Sequence, residues 1–350
     1  MSPPAADVDT PSTAPAVQPV VKPVKGTETS SASRLEGPLS YSGSLDAEEQ
    51  FDVTAVIGRE FPKLQLSEIL KDDNKLRDLA VLVSQRGVVF FRNQDLNIND
   101  QKYLGQKLDE LTGKPETSKL HRHALSNSKR GIAVDENGRL DDEVSVISSE
   151  QNRKFYNEKW SSLSKNLAGE GWHADITFEN IPSDYAILKI IQPPQDVGEA
   201  GREPHQPNFV RVKETFGEDL IDDYRGAPEN TGLDFKAEHP VVRTNPVTGW
   251  KSLFAVGHQL SAGHINGVSH TESEILKTYF RQLITENHDL QVRFRWGKND
   301  LAIWDNRSVF HTATNDYVGK RQGNRVVSLG EKPFYDPASQ SRREALGLVQ

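Results

Sequence analysis

The 350-residue chain contains no cysteine. That excludes a disulfide framework and any thiolate metal site. A metal here is held by histidine and carboxylate, which suit a catalytic ion better than a structural zinc. No apolar run approaches the ~20 residues that cross a bilayer, so no membrane partner is expected. The N-terminus has neither the apolar stretch of a signal peptide nor the arginine-rich pattern of a transit peptide, so a cytoplasmic protein is the expectation. Lys and Arg number 42 against 50 Asp and Glu, a net charge of −8. No basic block is dense enough for a nucleic-acid stripe, and no nucleic-acid partner is expected.

Residues 1–45 are rich in Pro, Ser, Thr, Ala and Val and carry no periodicity. They read as a disordered tail, with a partner-binding tail as the alternative. Residues 46–345 read as one domain, whose apolar content the tail dilutes. Leu66–Leu70 and Asn74–Val83 space apolar residues at helical intervals, and Gly87 ends the second helix. Val88–Phe91 is a short buried strand. Asn99 is a candidate N-cap for a helix running to about Leu111. Strands are expected at 144–148, 184–191, 241–244, 250–256, 291–296, 301–304 and 325–329, with an amphipathic helix at 273–286. Many short strands, few helices and no βαβ alternation predict a mainly β fold with flanking helices, a double-stranded β-helix or jelly roll.

Two segments carry chemistry: Gly171-Trp172-His173-Ala174-Asp175, and Trp304-Asp305-Asn306-Arg307-Ser308-Val309-Phe310-His311. In a strand, residues i and i+2 share a face, so His173 and Asp175 can present two ligands side by side. Two imidazoles and one carboxylate occupy one face of a ferrous ion and leave the other open. Of the ten histidines, the nine other than His173 compete for the third position. His205, His264, His270 and His288 lie in polar loops or exposed helix. His239 precedes a proline and ends a turn, and His258 is a candidate pocket residue. His311 follows an apolar strand and precedes Arg321 and Arg325. On spacing it is either the third ligand or a satisfied barrel histidine.

Gly171–Phe178, His239–Pro246, Ala302–Arg307 and Gly330–Tyr335 together closely resemble the taurine dioxygenase family of Fe(II)- and 2-oxoglutarate-dependent oxygenases. The long N-terminus and Ser148–Asn152 are most similar to its fungal sulfonate dioxygenase branch. The resemblance spans about residues 50–340. It implies an iron triad of His173, Asp175 and His311. It implies Arg321 against the distal carboxylate of 2-oxoglutarate, where a planar guanidinium fork holds a carboxylate bidentately. Arg325 would face a substrate sulfonate, and His123 falls where the family has a substrate-anion histidine. The bland alternative for His121 and His123 is a solvated surface pair, and for the arginines ordinary surface ion pairs.

The implied reaction consumes 2-oxoglutarate and O2, yields succinate and CO2, and hydroxylates the carbon next to sulfur. The product collapses to an aldehyde and sulfite. A carboxylate at 175 argues for hydroxylation, since related halogenases leave that position empty. The implied partner is a small anionic substrate, and relatives suggest a homo-oligomer.

The chain departs from the family after Gln192-Pro193-Pro194. A segment near 195–207 reads as missing, with the threonine that helps bind 2-oxoglutarate, and the pattern resumes at about His205. The family's substrate asparagine has no match, Gly169 standing near that point. An impaired metal-binding relative, or a dioxygenase of another anion such as an alkyl sulfate or a phenoxyacetate, are the alternative readings.

Overall fold

A computed structural model describes residues 32–131, 134, 135, 137–149, 171–193, 217–257, 260, 263–313 and 320–348. The segment near 195–207, His205, His258 and residues 1–31 of the expected tail lie outside the described residues. Residues 32–45, which composition places in that tail, instead lie against the body. Arg34 donates its backbone N–H to Gly113 O at 2.8 Å. Ser42 binds the buried Asp78 carboxylate through both its amide and its hydroxyl. Leu45 is fully buried, and Tyr41 packs on the same core. These few anchors are diluted when composition is averaged over the segment.

Seven strands form one sheet: β1 Phe51–Asp52, β2 Arg59–Phe61, β3 Val88–Phe91, β4 Ser145–Ser148, β5 Ser183–Gln192, β8 Leu301–Asp305 and β9 Gln322–Leu329. Their order is β1-β2-β3-β8-β5-β9-β4, and β6 Val242–Thr244 pairs with β7 Lys251–Leu253 in a separate ribbon. Among the described strands only β2 and β3 pair in parallel; the other pairs are antiparallel. The architecture is mostly sheet with some helices, as composition and pattern predict.

Helices cover one face. After the short α1 Leu66–Ile69, α2 spans Asp73–Arg86. Its N-terminus is capped by Asp72, whose side chain accepts from the Asn74 and Lys75 amides. It stops at Gly87, whose φ of +76° suits glycine. Helix α3 runs Ile98–Leu111, and its cap is Asn97 rather than Asn99. Asn97 is the residue that is extended, so its side chain can reach the Asp100 amide.

Alternation along the strands makes two apolar layers. Val89, Phe91, Tyr185, Ile187, Leu301 and Ile303 face α2 and α3. Phe90, Ala186, Leu188, Ala302, Trp304, Val327 and Leu329 face the other way.

The strand expected at 291–296 does not form. Its apolar residues pack by side chain alone: Phe294 stacks on Phe90 with ring centroids 4.0 Å apart, under the Arg92 guanidinium. Alternating sequence reports burial on one side, not a hydrogen-bonded neighbour. The amphipathic helix α4, His270–Thr285, opens on a Ser269–Glu272 capping box. Among the described residues no helix is long and apolar enough to cross a membrane.

Candidate metal centre

The two ligand segments meet on the face away from α2 and α3. His173 and His311 pair as an isolated antiparallel bridge, each amide donating to the other's carbonyl at 2.9 and 2.8 Å. Their rings lie 4.3 Å apart. Of His173 and Asp175, only His173 has strand-like pairing. Asp175 instead opens a turn, and the next residue, Ile176, is held at a φ of +62°. That region is costly for a β-branched side chain, so the turn after the ligand stores strain.

Ligand atoms of His173, Asp175 and His311 all lie within 4.8 Å of one another. His173 directs Nδ1 at Gly171 O at 2.7 Å, which leaves Nε2 for a metal. Asp175 is 3% exposed, and its two oxygens have different fates. Oδ1 accepts from Arg325 Nη1 at 2.6 Å, while Oδ2 is buried without a hydrogen-bond partner. A buried carboxylate oxygen left unpaired beside two imidazoles fits a divalent cation with N,N,O ligands. Burial works against ionising Asp175, but Arg325 and the imidazoles of His311, His173 and His123 outweigh it and lower its pKa to about 2. Burial likewise pushes His311 down to about 3, despite the opposing pull of Asp175. Both ligands are thus in their metal-binding protonation states at neutral pH.

Arg325 lies on β9 with Val327 and Leu329 on its face. Arg321 stands four residues earlier, where its backbone pairs with Ser149. His123 Nδ1 accepts from the Leu125 and Ser126 amides, both at 3.1 Å, so Nε2 carries the proton. Burial, with His121 and Arg325 nearby, lowers the His123 pKa to about 3, so it is a neutral donor.

The surface-pair reading of His121 and His123 fails. His121 is 2% exposed, with its Nε2 3.6 Å from Glu179 Oε1 and its ring edge-on to His123. Glu179 is itself gripped by both sides of the Arg225 fork, at 2.5 and 2.8 Å. Nothing local in the sequence marks this buried pair, whose members are 46 positions apart. His239 does more than end a turn. Its Nε2 lies 3.1 and 3.0 Å from the carbonyls of Thr177 and Glu179, which ties down the segment after Asp175. His264, His270 and His288 are exposed, as expected. Gly257 seals the wall. A Cβ there would lie 2.5 Å from Trp172 O, 3.1 Å from His173 Cα and 3.3 Å from the Phe310 ring.

The family model described as "Taurine catabolism dioxygenase TauD, TfdA family" matches residues 49–204 and 210–327. The alpha-ketoglutarate-dependent dioxygenase btcD of Neocamarosporium betae is 45% identical over 346 residues, 89% of this chain and 99% of that protein. An alpha-ketoglutarate-dependent sulfonate dioxygenase of Saccharomyces cerevisiae is 27% identical, covering 81% of this chain and 67% of that protein. In fold, the chain is similar to a taurine dioxygenase from Burkholderia xenovorans, with a TM-score of 0.55 at 22% identity, covering 84% and 94% of the two chains. With the His/Asp/His site and these likenesses together, the chain belongs to the taurine catabolism dioxygenase TauD, TfdA family and is an alpha-ketoglutarate-dependent dioxygenase using Fe(II), 2-oxoglutarate and O2.

Proposed function

We propose that this dioxygenase, built as a double-stranded β-helix, hydroxylates a small organic anion, an alkyl- or aminosulfonate, at the carbon bearing sulfur. The observation that carries the reading is Arg325, whose guanidinium sits 2.6 Å from the ligand Asp175 on the face that holds His123. An anion bound there stands next to the metal. The sulfonate dioxygenase of S. cerevisiae supports the sulfur class, whereas the name of the 45% identical btcD specifies no substrate.

His173, Asp175 and His311 would hold Fe(II), which couples the oxidative decarboxylation of 2-oxoglutarate to hydroxylation of the substrate. Arg321 takes the distal carboxylate of 2-oxoglutarate and fixes its orientation. Arg325 and the Nε2–H of His123 take the substrate's anion. A neutral donor beside a cation orients the anion without adding a second charge to desolvate. Burial of Asp175 and the close wall at Gly257 keep water from the Asp175 side of the site, while the His311 side chain stays 31% exposed. One oxygen atom of O2 enters succinate and the other the substrate. The resulting 1-hydroxysulfonate breaks its C–S bond to give an aldehyde and sulfite.

The test is the visible charge-transfer band of the anaerobic Fe(II)·2-oxoglutarate complex, followed by addition of taurine, a simple alkylsulfonate, an alkyl sulfate and a phenoxyacetate. A band that shifts with sulfonates, together with sulfite release in air, supports the proposal. A shift with sulfate or phenoxyacetate alone replaces the substrate class. Iron binding with no band would leave the chain unable to hold the cosubstrate and would sink the reading.

A further inference from the structure

Asn306 is 1% exposed and directly follows β8, five residues before His311. Its carboxamide is committed at both ends. Oδ1 accepts from the backbone N–H of Asp175 at 2.9 Å and from the indole Nε1–H of Trp304 at 3.0 Å. Nδ2 donates to Ser183 Oγ at 2.8 Å. The amide orientation is unambiguous, because a backbone N–H and an indole N–H can only donate, and a flipped amide would set N–H against N–H.

The residues around it are rigidly placed. The Asn306 backbone donates to Asp184 O at 2.7 Å. On either side, Asp305 and Arg307 form a fully buried ion pair, and Asn245 donates to both Asp305 and Ser308. Trp304 is fixed in the sheet between β3 and β5, and its ring lies 4.9 Å from the His311 imidazole. One side chain therefore reaches the strained turn that carries Asp175 and the indole that backs His311. The remaining ligand, His173, is tied to His311 by the backbone bridge.

We propose that Asn306 is the positioning residue of the metal centre, its single carboxamide setting the placement of the Asp175 turn relative to the His173–His311 bridge. The proposal rests on the metal site and not on the identity of the substrate. A structural amide would add only stability. A positioning amide sets metal affinity and ligand geometry as well, and such outer partners are worth about 10- to 100-fold in affinity.

Co(II) titration of the purified full-length protein without oxygen separates the two roles, with its d–d bands reporting geometry and thermal unfolding of the metal-free protein reporting the fold. Asn306→Ala is expected to weaken Co(II) binding about 10- to 100-fold and to change the band pattern. Asn306→Asp keeps an acceptor for Asp175 N–H and Trp304 Nε1–H, and Ser183 can rotate to donate. It is expected to restore the wild-type bands. Band shape is the criterion there, because the added charge alone raises affinity for a dication. Wild-type affinity and bands in Asn306→Ala overturn the proposal, as does an Asp variant whose bands match the Ala variant. If Asn306→Ala does not fold, Trp304→Phe decides. It keeps an aromatic ring beside His311 but removes the indole donor together with the five-membered ring that bears it, and unchanged Co(II) bands and affinity in it overturn the proposal.

Discussion

The two faces of the central sheet are made from alternate residues of the same strands, yet they treat polar groups differently. On the helix-covered face they are mostly satisfied. Asp78 accepts from Ser42 and Ser44, Gln101 donates to the carbonyls of Ile187 and Asn324, and Ser84 pairs with the Tyr185 hydroxyl. The exceptions are the buried Asp109–Lys114 pair, 3.7 Å apart, with Arg86 Nε and Asn324 Oδ1. On the metal face Asp175 Oδ2, His311 Nδ1, Arg325 Nε and both ring nitrogens of His121 are buried without hydrogen-bond partners. Each such group carries a desolvation cost. One face is arranged for stability, and the other keeps open valences for groups that arrive later.

The largest expected effect breaks the metal face alone. Asp175→Ala should abolish the Fe(II)·2-oxoglutarate band and coupled succinate formation. Full turnover in that variant would mean that the ligand set is wrong. On the other face, Leu79 of α2 is fully buried. Leu79→Ala should cost about 2–5 kcal/mol in urea unfolding, while the folded fraction keeps wild-type metal affinity. A parallel fall in affinity would show that the faces are not independent.

Acid should act next, through His239. Burial first, then the nearby Arg243, lowers its pKa to about 4. A histidine depressed in the fold contributes stability that is fully present above its unfolded pKa of ~6.5 and is lost as pH falls toward the folded value. Metal-free protein should therefore lose up to about 3 kcal/mol between pH ~6.5 and pH 4 from this residue, at ~1.4 kcal/mol per unit. His239→Gln keeps a donor for the two carbonyls without titrating, and should flatten that part of the curve. An unchanged curve would assign the acid sensitivity elsewhere. The smallest effect belongs to Asp72→Ala, which removes the α2 cap and should cost ~1 kcal/mol in unfolding with no change at the metal.

Much of this was legible in the sequence for physical reasons. Strands β3, β5, β8 and β9 alternate or run apolar because both faces of the sheet are covered. The pairing of His173 with Asp175 was legible because the two sit two residues apart, whereas spacing left His311 open and only the family resemblance of its motif joined it to them, a grouping the structure brings within 4.8 Å. Partners far apart in sequence were not legible. Asn306 reaches Asp175 across 131 positions and Glu179 reaches Arg225 across 46, and neither pair has a periodic signature. His121 looked like surface because its neighbours are polar, and its burial comes from elements packed over it. The failed strand at 291–296 shows the converse, a correct burial pattern with no backbone partner.

Gly257 carries no functional group, yet every other residue adds a carbon where the Trp172 carbonyl already stands, with the His173 backbone and the Phe310 ring close behind. None of these three neighbours is the free end of a flexible chain that could swing aside. In a library in which every position is randomised and survivors are selected for turnover, position 257 should be as depleted of replacements as the ligands themselves. A map of intolerance drawn on this protein would thus mark a residue that touches no substrate and no ion, and its cause would be space rather than chemistry.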